Sequence, residues 1–336
     1  MKIKFVISFL ISSLASTALI GCSGQKNNDK TLDNYNQAIL LNPKDTTAYI
    51  NRGIIYRDKG ENDKALANFN QAILLDPKNA LAFNNRGIIY NEKGQKDKAL
   101  ADFNQAILLD PKYALVFNNR GNIYDEKGEK DKALADYNQA IFLNPTDTKA
   151  YINRGAIYRN KGENDKALAD FNQAILLDTK YTLAYYNRGV IYNKKGEKDK
   201  ALADFNQAIF LDPKYAPAFN NRGTIYDEKG EKDKALADYN QAILLDPKYA
   251  AAFYNRGLFY DRKGEKNKAL ADYNQSTQLD PKFALAYHNR GFIYDERGEK
   301  AKALVEYKKA AALYLQQGEN TYRLQVLEAI KQLEGK

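Results

Sequence analysis

Side chains that commonly do covalent or acid–base chemistry are scarce in this sequence. The one histidine is His288, the one cysteine is Cys22, and beyond residue 21 the only serines are Ser23 and Ser276. A serine nucleophile needs an imidazole base beside it, and Ser276 stands where other copies of a repeating pattern carry Ala, as at Ala242 and Ala310. His288 is better read as a polar lining residue than as a catalyst. A His/Cys metal site cannot be assembled from one residue of each kind. Carboxylates are plentiful, but they return at fixed spacing, as solvated turns and faces do, and make a poor acid–base pair. The glycines are likewise periodic and form no phosphate-cradling loop. Neither catalysis nor a cofactor is expected. Amides are what recur: Asn51, Asn85, Asn119, Asn153, Asn187, Asn221, Asn255 and Asn289. Asn disfavours helices, so such a row needs a reason. It could present donors and acceptors to a peptide backbone, or bond to the neighbouring copy and fix its position, and both can hold together.

The elements that carry this row follow a period of 34 residues, unbroken from Thr46. Gly53, Gly87, Gly121, Gly155, Gly189, Gly223, Gly257 and Gly291 mark the beat. Four residues before each stands Tyr or Phe, three after comes Tyr, twelve after comes Ala, and sixteen after comes Phe or Tyr. Pro closes six of the copies, from Pro77 to Pro281, with Thr179 and Leu315 in its place in the other two. Each copy reads as two helices, such as Ala80 to about Lys93 and about Lys96 to Leu109, parted by a glycine (Gly94) able to take the left-handed conformation that ends a helix. Asp97 and its equivalents sit near the start of the second helix, where a carboxylate suits unpaired amides. The beat glycines and alanines let helices approach, and the aromatics fill the gaps. One such unit buries too little surface to stand alone, so stacking must stabilise it.

This spacing closely resembles the tetratricopeptide repeat, from Thr46 to about Gln317. Two departures stand out: Arg precedes the beat Gly (Arg52, Arg86, through Arg290) where the family more often has Leu, and Tyr or Phe replaces a frequent Trp. The resemblance implies an all-α, right-handed superhelical solenoid of antiparallel helix pairs, with the first helix of each pair on the concave face. The Arg row is expected to pair with Asp102, Asp136, Asp170 and their equivalents on second helices. Residues 31–45 match the second half of a repeat, 46–317 hold eight repeats, and 318–336 form a capping helix in which Val326, Ala329, Ile330 and Leu333 share one face.

A groove on the concave face would take a protein or peptide partner. Besides the Asn row from Asn85 to Asn289, its specificity would lie at positions that vary between copies. Three residues before the beat Gly these include Tyr186, Tyr254 and His288, and one residue after it, Leu258 and Phe292. Tyr254, Leu258, His288 and Phe292 are expected to form an aromatic-apolar patch able to anchor a partner. Chaperone-tail-binding members of the family use a Lys/Asn/Arg clamp. Its Lys positions here are mostly Ile, Asn, Tyr or Leu, with Lys149 an exception, so the clamp is not reproduced.

The N-terminus reads as an address. A short basic start, Lys2 and Lys4, precedes an apolar run from Phe5 to Ile20 that is short for a membrane span and fits a signal peptide, residues 1–21. Leu19-Ile20-Gly21-Cys22 resembles the bacterial lipobox, which implies cleavage before Cys22 and acylation of its thiol, with 22–30 as a flexible tether. Acyl chains would hold the chain firmly to a membrane. The expected place is therefore the bacterial cell envelope, and Ser23 after the Cys resembles an outer-membrane destination in Gram-negative cells. The formal charge is +9, with 51 basic and 42 acidic residues. The signs are interleaved, as in Lys127-Gly128-Glu129-Lys130-Asp131-Lys132, which reads as a solvated rim and argues against a nucleic-acid groove. The function expected is a membrane-anchored scaffold for envelope assembly, with a surface-exposed protein engaging a host or another cell as the alternative.

Overall fold

The computed structural model describes residues 23–335, the first eight of these as backbone only. Cys22 and the signal segment lie outside the described residues. Among the described residues every regular element is an α-helix. The first, α1 (Ser23–Leu41), includes the residues expected to form a tether, so the helical second-half motif extends back through them. Eight pairs follow: α2 (Thr46–Asp58) with α3 (Asn62–Leu75), α4 (Ala80–Glu92) with α5 (Lys96–Leu109), α6 (Ala114–Glu126) with α7 (Lys130–Leu143), α8 (Thr148–Lys161) with α9 (Asn164–Leu177), α10 (Thr182–Lys194) with α11 (Lys198–Leu211), α12 (Ala216–Glu228) with α13 (Lys232–Leu245), α14 (Ala250–Arg262) with α15 (Lys266–Leu279), and α16 (Ala284–Glu296) with α17 (Lys300–Gln317). α18 (Asn320–Glu334) ends the chain.

These helices fall into two compact units, one ending at Pro145 and the other beginning at Thr146. Within each, the two helices of a pair pack on each other and on the next pair, the stacking of a solenoid. First helices also touch the first helices of neighbouring pairs: α2 with α4 and α4 with α6 in the first unit, α8 with α10, α10 with α12 and α12 with α14 in the second. No comparable contact joins successive second helices, so the first helices line the inner edge of each stack.

Local chemistry accounts for the pair. Gly94 has φ 72°, and its amide donates to the Asn91 carbonyl, closing the first helix. A side chain would be strained in that conformation. The beat glycines serve another purpose: a Cβ on Gly87 would lie 2.7 Å from Phe103 Cε1. Phe103, Ala99 and Ala106 are buried there with Val116 and Ile123 of the next pair. Burying one such phenylalanine contributes about 1.5–3 kcal/mol. At the C-terminus α18 buries Val326 and Ile330 against Tyr307, Leu313 and Tyr314 of α17.

Candidate functional site on the inner face of the first helices

The arginine before each beat glycine is committed to architecture. Arg86 donates from Nε and Nη2 to both oxygens of Asp102 at 2.8 and 2.7 Å, and from Nη1 to Asn70 of the preceding pair at 2.8 Å. Arg120 and Asp136, Arg188 and Asp204, Arg222 and Asp238, and Arg256 and Asp272 repeat this fork. Arg154 pairs with Asp170 in the same way. In the first repeat Arg52 meets Asn68, and in the last Arg290 meets Glu306. Each guanidinium also lies near aromatic rings, as Arg86 does beside Phe83 and Tyr90. The bond to Asp102 raises the pKa of Arg86 further, so that guanidinium stays charged. A fork of this kind joins second helices of adjacent pairs and fixes their spacing.

The asparagine row lies in the seam between first helices, and much of its capacity is spent there. Asn119 donates to Asn84 at 3.0 Å, Asn221 to Tyr186 Oη at 3.1 Å, Asn255 to Asn220 at 2.9 Å and Asn289 to Tyr254 Oη at 3.2 Å. Asn85 and Asn187 donate instead to the carbonyls of Leu81 and Leu183, and their own Oδ1 atoms receive Arg57 and Arg159. Asn153 is partly buried and is also engaged. These amides register one first helix against the next.

The variable aromatic positions divide. Tyr186 and Tyr254 are 1% and 6% exposed, and Tyr254 packs edge-on against Phe283 with centroids 4.8 Å apart. Their rings are therefore core, offering a partner no face, because three residues before the beat glycine the side chain turns into the seam. Phe292 is 48% exposed with Lys266 over its ring, and Leu258 is partly buried. His288 is partly buried, with Nδ1 3.2 Å from Tyr314 Oη, and loss of hydration pushes its pKa down. Of the expected patch, Phe292 alone is broadly exposed.

What the single-repeat reading missed is a longer period. Four residues after the beat glycine the first helices carry Arg57, Asn91, Asp125 and then Arg159, Asn193, Asp227. The series returns once, 102 residues on, so comparing copies three apart would have found it; the last two copies leave it with Asp261 and Asp295. These side chains stand at or beside the inner edge: Arg57 bonds Asn85 at 2.9 Å, and Asp227 is held by Lys232 at 2.6 Å and by Arg262 of the next first helix at 2.7 Å. Among the described residues no group of His, Cys, Asp and Glu is arranged to hold a metal ion, and no helix is long and apolar enough to cross a membrane.

Family models match along most of the array. One described as "TPR repeat" covers residues 53–94, 155–196 and 262–298, and one described as "Tetratricopeptide repeat" covers 80–113, 114–147, 182–215 and 216–249. The chain is a tetratricopeptide-repeat protein. The matches at 53–94 and 155–196, at 80–113 and 182–215, and at 114–147 and 216–249 stand 102 residues apart, whereas the match at 262–298 begins five residues off that register. No curated protein matches the sequence. Among solved structures, a tetratricopeptide repeat protein from Parabacteroides merdae is similar over 74% of this chain and 98% of its own, at 23% identity and a TM-score of 0.57. Pseudomonas aeruginosa pilF is similar over 71% of this chain and 100% of its own, at 18% identity and a TM-score of 0.58. The Cut9-Hcn1 hetero-tetramer of the APC/C gives a TM-score of 0.66 at 17% identity, covering 92% of this chain and 59% of that one. At these identities the likeness is one of fold. Tetratricopeptide repeats form a scaffold typical of protein–protein interaction and generally not of catalysis.

Proposed function

We propose that this protein is a lipid-anchored scaffold of the bacterial cell envelope, holding a protein or peptide partner along the inner edge of its first helices. The observation that carries the binding site is the division of labour between positions. Beat glycines, aromatics, alanines and the Arg–Asp forks are repeated from copy to copy and consumed in packing, whereas the inner-edge positions change in charge and size. One residue after the beat glycine the side chain passes from Ile88 to Asn122, Val190, Thr224, Leu258 and Phe292. A surface free to vary on a fixed frame is where partner choice is encoded. The anchor rests on the lipobox-like segment ending at Cys22, and acylation there would place the array at a membrane surface.

Two experiments test this reading. A photo-crosslinking residue at Asn193 or Leu258, on the inner edge, should give a discrete adduct in intact cells, while the same residue at Lys112 or Lys214, in exposed loops, should not. Equal adducts from all four positions, or none from the inner pair, would remove the binding face. Separately, Cys22→Ala should abolish incorporation of labelled palmitate, and continued labelling would sink the anchor.

A further inference from the structure

We propose that Arg159, with the phenols of Tyr186 and Tyr215 behind it, receives a carboxylate of the partner bound along the inner edge of the second unit; this deepens the binding reading above and rests on it.

The triple-repeat period supplies an internal comparison. Arg57 and Arg159 are equivalent, and each donates to the asparagine 28 residues on, Asn85 or Asn187. Arg57 is neutralised by its neighbour, with Nη2 2.9 Å from the Asp58 carboxylate. Asn160 replaces that aspartate beside Arg159, and its amide oxygen is 3.3 Å from Nη2. Among the described residues no carboxylate lies within ion-pairing distance of Arg159, although every arginine of the ladder has a carboxylate or amide fork. The surroundings differ too. In the first unit Asn84 donates to Tyr113 Oη at 3.5 Å. In the second, Tyr186 takes the place of that asparagine, and the Tyr215 hydroxyl, although shielded from solvent, has no hydrogen-bond partner. Tyr186 and Tyr215 pack edge to face with centroids 5.1 Å apart. Tyr186 Oη already receives Asn221, so its proton is left to donate.

The result is a cation and two phenols that each have a proton left to donate. A partly buried guanidinium with no anion is costly, and burial lowers its pKa. A planar carboxylate matches its fork and would relieve that cost. The register, four residues after the beat glycine, and the tyrosine floor differ from the Lys/Asn/Arg clamp that this sequence lacks.

The test uses the full chain labelled with 15N-arginine, reading the Nε–Hε signals of Arg159 and Arg57, assigned through Arg159→Lys and Arg57→Lys. Sodium acetate is the probe, with sodium chloride at equal ionic strength as the control. Arg159 should show a saturable shift with acetate at a concentration about tenfold below any response of Arg57. Asn160→Asp, an exposed change that installs the Asp58-type counter-ion, should abolish it. An unresponsive Arg159, equal responses at the two arginines, the same shift with chloride, or an unaltered shift in Asn160→Asp would overturn the proposal. Acetate reports on the pocket without any partner, so that failure leaves the crosslinking test of the inner edge standing. Two matched peptides then identify the source of the carboxylate: one with a free C-terminus and no acidic residue, the other amidated with one internal Glu. Whichever competes with acetate at Arg159 carries the group, and competition by neither would limit the site to small anions and refute its role in partner binding.

Discussion

Replacing Gly121 by alanine tests whether the beat glycines exist for contact between helices. The added Cβ would sit 2.7 Å from Cε1, 3.0 Å from Cδ1 and 3.2 Å from Cζ of Tyr137, a ring that is 1% exposed. The ring cannot retreat freely, because its hydroxyl donates to Asn122 Oδ1 at 2.8 Å. Overpacking of this kind costs about 1–3 kcal/mol, and the displaced hydrogen bond adds about 1 kcal/mol. Alanine returns about 1 kcal/mol as the better helix former. The variant should therefore lose about 1–3 kcal/mol. Gly128→Ala is the control: nothing lies within 4 Å of its Cβ, but φ is 78°, so its cost of about 1–2 kcal/mol is backbone strain. Both are measured alone and with Tyr137→Leu, by urea unfolding and by hydrogen exchange at α6 and α7, since a repeat array need not unfold in one step. Tyr137→Leu should recover at least about 1 kcal/mol of the Gly121→Ala loss and none of the Gly128→Ala loss. A Gly121→Ala protein as stable as the parent, or zero coupling to residue 137, would refute the close-packing argument.

Deleting residues 182–215, one whole repeat, should preserve helical content, because the same interface is re-formed by the flanking copies; deleting 182–198 should destroy it locally, and equal melting of the two would count against a solenoid. His288 predicts a pH effect. Burial keeps its imidazole neutral in the folded chain, so the unfolded chain takes up the proton first as pH falls below the ordinary value of 6.5. Stability from this residue is present above that pH and lost below it. Thermal unfolding at about pH 7.5 and about pH 5.5 should show a larger loss in the parent than in His288→Gln, and equal losses would exclude the residue as the cause. At the alkaline end, burial pushes the Tyr239 and Tyr307 phenols up to about 12. The unfolded chain ionises from about pH 10, so stability should fall as pH rises from there. Phenolate absorbance from these core tyrosines should appear together with loss of helix; early ionisation of the folded core would contradict their burial.

Much of the frame could be read from spacing because it depends on interactions within one repeat or between identical neighbours. The glycine between paired helices, the glycine against an aromatic sixteen residues on, and the Arg–Asp fork at the same separation are all short-range rules applied repeatedly. The amide row was ambiguous for a physical reason. Asn119 and Asn187 occupy the same place in their repeats, yet one bonds back to Asn84 and the other accepts Arg159, and the choice is set by a side chain on the adjacent first helix. Tyr254 is buried on the same ground. Variation from copy to copy suggested an accessible surface, but the seam accepts Asn84, Tyr186, Asn220 or Tyr254 as alternative fillings, each completed by the amide of the next repeat.

Averaging over eight copies also conceals what differs between them. Aligned on one repeat, Arg57, Asn91 and Asp125 look like drift at one surface position. Aligned on three, the first six copies become a series that Arg159, Asn193 and Asp227 repeat before Asp261 and Asp295 leave it, and differences between the two rounds gain meaning. The exchange of Asp58 for Asn160 removes one carboxylate from an exposed edge, and that of Asn84 for Tyr186 changes one seam filling. Together they leave a cation without its counter-ion beside a phenol without a partner. Neither change disturbs the packing rules, so neither is visible as a break in the repeat. Duplication supplies a frame tolerant enough for such differences to accumulate, and they accumulate where first helices face one another across the inner edge rather than where second helices are locked by the arginine forks.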